Sequence, residues 1–185
     1  MRSVRLVVLD RHLEPDRETA LKANVGTLYT YTQSGTSSNT NDGMYGGSSP
    51  SIAGLVGGGW EAAFEANTTN AYVYSTSTGG VNTGNGMDAG TSPSISALSY
   101  GGYVAAYEVN NGYQLYTYSS ELGIGEGTNL YMQGGTSPSI VGTGDDTYWI
   151  TYHGQNGVVI KYSPQIGASG LGTAMAVGTN PSISP

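Results

Sequence analysis

A five-residue phrase returns four times along the chain. It reads Ser48-Ser49-Pro50-Ser51-Ile52, Thr91-Ser92-Pro93-Ser94-Ile95, Thr136-Ser137-Pro138-Ser139-Ile140 and, altered, Thr179-Asn180-Pro181-Ser182-Ile183. The prolines stand 43, 45 and 43 residues apart. A period near ~44 residues marks tandem supersecondary units, none of which buries its apolar face alone, so that neighbours must stack.

The rest of the unit aligns around that phrase. Ten residues after each of the first three prolines stands an aromatic: Trp60, Tyr103, Tyr148. Four further on come Phe64, Tyr107 and Tyr152, then the polar residues Glu65, Glu108 and His153, and two later the amides Asn67, Asn110 and Gln155. Asn111-Gly112 and Asn156-Gly157 follow in two copies, and Asn-Gly suits a tight hairpin because both residues tolerate positive φ. Tyr- and Val-bearing segments at residues 71–75, 114–119 and 158–163 read as second strands. A Gly-rich stretch then leads to the next proline. Each unit thus offers about four short strands, the last the least marked because glycine weakens a strand interior. With 30 Gly, 15 Tyr and only 10% charged residues, the composition fits many short strands joined by turns. There is no cysteine, so neither disulfides nor thiolate metal sites hold the fold.

The amino-terminal region carries part of the same unit. Residues 18–24 lie over residues 61–67, and residues 25–31 over 111–118 with one gap. The chain enters the repeat at its second strand and leaves it at Pro181-Ser182-Ile183, a spare first strand. The expected fold is all-β: a β-propeller of short four-stranded blades, about four in number. Residues 50–92, 93–137 and 138–180 are whole blades, and residues 17–49 plus 181–185 form one blade closed by both termini. Such closure hides strand edges. A larger ring shared by two chains, a piece of a longer array, and a β-trefoil of three such units are the alternatives. Residues 1–16 stand outside the repeat, with an apolar segment at 4–9. Residues 14–18 resemble a helix start, but the repeat alignment favours a strand over 18–23.

The net charge of −7 is unevenly spread. Five of the six cations lie in the first 22 residues, leaving Lys161 against nine carboxylates and a net −8 over residues 23–185. A phosphate backbone needs a basic face, so nucleic acid and anionic membrane are not expected partners. No apolar run is long enough to span a bilayer. The first residues are basic, but their apolar run, cut at Asp10, is too short for a secretory leader. A lysine-poor surface rich in Thr, Ser, Asn and Tyr nonetheless points to an extracellular setting.

The phrase Gly-Thr-Ser-Pro-Ser-Ile, a double glycine, an aromatic, a small pair, a second aromatic and then Glu and Asn, clearest in residues 47–67 and 90–110, resembles repeats of secreted actinobacterial proteins. Those repeats look like lectin-type β-propeller blades and are often appended to hydrolases. The resemblance covers residues 18–185 and implies a lectin-like module without naming its ligand. His153 and Gln155 depart from the pattern, as does Leu21, which replaces an aromatic.

Sugar recognition needs an apolar platform beside planar hydrogen-bonding groups. The sets Trp60/Glu65/Asn67, Tyr103/Glu108/Asn110 and Tyr148/His153/Gln155 supply both types and are the candidate ligand-binding residues. Alternation also fits these aromatics as packing between units. Arg17, at the position of Trp60, favours the platform reading for that position, because an unpaired buried charge is costly. Catalytic signals are weak. The histidines, His12 and His153, sit in no nucleophile motif, and Asp145-Asp146 reads as a solvated turn rather than a cation site. Acids recurring once per unit favour repeated weak binding sites over one active centre. The expected function is non-enzymatic carbohydrate binding without metal or cofactor, with an interaction scaffold as runner-up and a glycoside-processing enzyme third.

Overall fold

A computed structural model describes residues 18–184 apart from 25, 33 and 76. Arg17, His12 and the segment at 4–9 lie outside the described residues. The described chain is all-β, fifteen strands in four antiparallel sheets. Sheet 1 holds β1 (Glu18–Lys22), β2 (Thr27–Thr32) and β3 (Ser37–Gly43). Sheet 2 holds β4 (Ser51–Gly54), β5 (Trp60–Glu65), β6 (Asn70–Ser75) and β7 (Gly79–Gly86). Sheet 3 holds β8 (Ser94–Ala97), β9 (Tyr103–Glu108), β10 (Gln114–Ser119) and β11 (Gly125–Tyr131). Sheet 4 holds β12 (Ser139–Gly142), β13 (Tyr148–His153), β14 (Val158–Ser163) and β15 (Gly167–Ala174). Within each sheet the strands pair in chain order. A trefoil would instead gather strands from all copies into one barrel.

Successive sheets pack face to face, and the strand alternation of 2 decides which residues meet. Ala20, Leu28 and Met44 of sheet 1 and its exit loop bury Ile52, Ala62 and Phe64 of sheet 2. The opposite face of sheet 2, with Ala53, Ala63, Ala71 and Val73, buries Ile95, Ala105, Tyr107 and Tyr118 of sheet 3. Val104, Ala106 and Leu115 of sheet 3 meet Ile140, Ile150 and Tyr152 of sheet 4. The alanine pairs 62–63 and 105–106 give each sheet a thin middle, and the aromatics fill the space beside it.

The recurrent phrase is a stitch between sheets. The Ser49 N–H donates to Ser92 Oγ (2.9 Å), Ser92 N–H to Ser137 Oγ (2.8 Å) and Ser137 N–H to Asn180 Oδ1 (2.7 Å). The serine after each proline accepts from the next copy: Ile95 N–H donates to Ser51 Oγ, Ile140 N–H to Ser94 Oγ and Ile183 N–H to Ser139 Oγ, all at 3.2–3.3 Å. These bonds satisfy backbone donors that would otherwise be buried unpaired between first strands, and they explain why the altered copy keeps an acceptor in Asn180. The first strands β4, β8 and β12 lie side by side as a result.

A second repeat protects the outer edges. Asn41, Gly84, Asn129 and Gly172, each nine residues before a proline, have φ between 59° and 84°. They bulge β3, β7, β11 and β15, where the register shifts against the neighbouring strand. Thr40, Thr83 and Thr128 clamp the bulge by donating to the carbonyls of Leu28, Ala71 and Leu115. The Gly-rich fourth strand therefore forms in every unit, as a bent and exposed edge.

Among the described residues, 181–184 make no strand pairing with sheet 1. Ile183 takes the next place in the serine ladder beside β12. Residues 181–184 form no strand, however, and β1 pairs only with β2 among the described residues.

Candidate functional site

The three sequence-predicted sets are spread along the sheets. Trp60 begins β5 and Glu65 ends it, five residues or about 16 Å apart and on opposite faces. The same holds for Tyr103 and Glu108 in β9, and for Tyr148 and His153 in β13. Trp60 stacks on Tyr74 at 5.9 Å and Tyr103 on Tyr118 at 6.4 Å. Both are half-buried against the intersheet cores, and Tyr148 lies likewise against the core between sheets 3 and 4. Tyr103 also donates to Glu61, which receives a second hydrogen bond from Ser75. Burial outweighs these bonds and lifts the Glu61 carboxyl to about 7. These aromatics serve packing.

Glu65, Glu108 and His153 are enclosed, at 0%, 0% and 1% exposure. Their role follows from the loops that carry the chain between sheets. Each loop begins at a buried methionine, Met44, Met87 or Met132, that bridges to the residue after the acid or histidine, namely Ala66, Val109 or Gly154. The next residue, Tyr45, Asp88 or Gln133, donates its N–H to the carbonyl of Glu65, Glu108 or His153. The carboxylates hold the following loop from below: Gly90 N–H donates to Glu65 Oε2 and Thr136 N–H to Glu108 Oε2, both at 3.1 Å. In sheet 1, Lys22 occupies the same place and donates to Tyr45 O instead (2.6 Å). Glu65 Oε1, Glu108 Oε1 and His153 Nδ1 are buried without a partner. Burial raises the Glu65 carboxyl to about 7, against hydrogen bonds from Gly90 and Ser48 that lower it. Burial, with the charge of Asp88, raises that of Glu108 to about 8.

Above these acids, between sheets 3 and 4, opens a groove of about 440 Å³. Its lining residues are Asp88, Tyr113, Gln133, Gly134, Gly135 and Gln155. Only Gln155 belongs to the sequence-predicted sets. Asn67 and Asn110 instead rest against Gly43 and Gly86, where an added Cβ would collide with their amides. Tyr113 stands in the hairpin between β9 and β10 with φ 59°, and its carbonyl accepts the Met132 N–H. Its ring lies over Gly134, where an added Cβ would come within 2.7 Å of it. With 45% of its surface open, the tyrosine is a platform backed by glycine. Asp88 is oriented by Gly135 N–H, which donates to its Oδ2 (3.2 Å). Gln133 and Gln155 bring planar amides to the same opening.

The same backbone bond identifies the counterparts of Tyr113 in the other sheets. Met44, Met87 and Met175 donate to the carbonyls of Gly26, Thr69 and Gly157. Sheet 3 alone places an aromatic there. Its hairpin is one residue longer: Glu108 pairs with Leu115, whereas Glu65 pairs with Ala71 and His153 with Val159. That extra residue, one of the two by which the middle spacing of 45 exceeds 43, is the sequence signal for this site. Asp146 is a turn residue with φ 60°, paired with Ser99 of the neighbouring sheet. Compared with known proteins, the chain matches no family model and no curated sequence.

Proposed function

We propose that the chain is a non-enzymatic carbohydrate-binding module whose sheets are the blades of a small propeller, with the groove at Tyr113 as its binding site. The observation that carries this reading is the glycine-backed Tyr113 ring with Asp88, Gln133 and Gln155 around it. A sugar ring presents an apolar face to stack and a rim of hydroxyls that planar amides and a carboxylate bind bidentately. The propeller arrangement is supported by the side-by-side first strands, the serine ladder and the exposed bulged fourth strands. In that arrangement Pro181-Ser182-Ile183 completes sheet 1, or a second copy of the chain extends the ring. An extracellular setting accords with the composition.

Binding rather than hydrolysis is favoured because Glu65 and Glu108 are enclosed and Asp88 is the one carboxylate lining the groove. A glycosidase needs two that reach the substrate. The aromatic at one hairpin alone narrows the site from one per blade to one per chain. A glycan array probed with wild type and Tyr113→Ala tests the reading. Wild type retains a set of glycans that the variant, equally folded, loses; identical array profiles would sink it.

A further inference from the structure

Building on the carbohydrate reading of the groove, we infer that its ligand carries a protonated amine: the site is built for an amino sugar rather than a neutral or acidic one.

Asp88 is the groove's single charged lining residue. Gly135 N–H fixes its Oδ2, and its Oδ1 receives no hydrogen bond from the described residues, so one carboxylate oxygen faces a ligand already oriented. No described cation neutralises it. Lys22 is committed to the Tyr45 carbonyl, and Lys161 sits 3.6 Å from the centre of the Trp149 ring. Beneath the floor, Glu108 accepts from Thr136 N–H, the peptide next to the Gly135 N–H that donates to Asp88. Glu108 Oε1 is buried and unpartnered there. Glu108 keeps its proton at neutral pH, so the negative charge that a ligand meets in the groove is that of Asp88.

The Tyr113 face adds to the preference, because an aromatic ring attracts an ammonium group as well as the C–H face of a sugar. Gln133 and Gln155 remain for the hydroxyls. An ammonium against Asp88 makes a charge-assisted hydrogen bond, which a hydroxyl at the same carbon replaces with a weaker one.

The test is calorimetric titration with three β-1,4-linked disaccharides of one backbone, those of glucosamine, N-acetylglucosamine and glucose, and with trilysine as a cation without a sugar ring. The glucosamine disaccharide binds at least about tenfold more tightly than the other three, the size expected for one hydrogen bond to a charged group. Asp88→Asn, whose amide oxygen still accepts from Gly135, removes that difference: the glucosamine disaccharide falls to the affinity that the glucose disaccharide has for the same variant. Should the variant fail to fold, the wild type decides. Raising sodium chloride from about 50 to about 500 mM weakens the amino sugar several-fold and leaves the neutral sugars unchanged. Equal affinity for all three disaccharides overturns the amine preference and leaves the carbohydrate reading intact. Trilysine binding as tightly as the amino sugar overturns it in favour of unspecific charge attraction. Absence of binding by any sugar overturns both readings.

Discussion

Glu108 makes the stability of this protein depend on pH in the direction opposite to ordinary acid unfolding. Its carboxyl is enclosed, one oxygen lacks a partner, and Asp88 stands near. Its folded pKa therefore rises from 4.5 to about 8. Below 4.5 both folded and unfolded chains hold the proton, and the group contributes no pH dependence. Between 4.5 and about 8 the unfolded chain has lost the proton while the folded chain keeps it, so stability falls as pH rises, by about 1.4 kcal/mol per pH unit. Across the whole window the ceiling is about 5 kcal/mol. Glu61 and Glu65 act with the same sign, and their contribution fades through about pH 7. From pH 7 to 8 Glu108 gives the largest share, about 1 kcal/mol, and the half-titrated Glu61 and Glu65 about 0.4 kcal/mol each. Glu108→Gln keeps an acceptor for Thr136 N–H and cannot ionise. In urea unfolding followed by tryptophan fluorescence, wild type should lose about 1 kcal/mol more than the variant over that interval. Parallel curves for the two proteins would refute the reasoning, because the buried carboxyl would then carry no excess proton.

Two packing predictions complete the set. Gly142 ends β12 where an added Cβ would meet the Ala97 carbonyl oxygen of β8, whereas Gly54, at the same place in sheet 2, has open space around it. Gly142→Ala should therefore cost about 1–3 kcal/mol and Gly54→Ala less than about 0.5, read as urea midpoints. Phe64→Ala and Tyr107→Ala should each cost about 3–5 kcal/mol. Because Trp60 and Tyr103 are half-buried between sheets, their alanine variants should also destabilise measurably in thermal melts while leaving glycan recognition in place.

The repeat was legible because each unit solves one physical problem with the same residues. The serine-proline-serine phrase announced the period. Its function as a hydrogen-bond ladder was not visible, since a ladder needs the spatial neighbour some 43–46 residues away. Other periodic signals run through the sequence. Met44, Met87, Met132 and Met175 keep the proline spacing because each anchors an exit loop, and the bulge residues keep it because each bends an edge. The candidate site was read less well. Aromatic, acid and amide are near in sequence, but a strand separates residues five apart by most of its length and turns them to opposite faces. Glu65 and Glu108 recur to hold loops, which is a structural reason for one acid per unit. The groove draws instead on a place where the repeat is broken, the longer hairpin that carries Tyr113, and on loops from three sheets.

The most direct measurement is amide chemical-shift mapping of the labelled chain titrated with a glycan it retains on the array. If the groove is the site, the shifts concentrate on Tyr113, Gly134, Gly135 and Gln155, with the side-chain amides of Gln133 and Gln155 among the largest. The residues around Trp60 and Tyr103 stay still. Shifts centred on Trp60 or Tyr103, or spread equally over the three corresponding hairpins, would contradict the account.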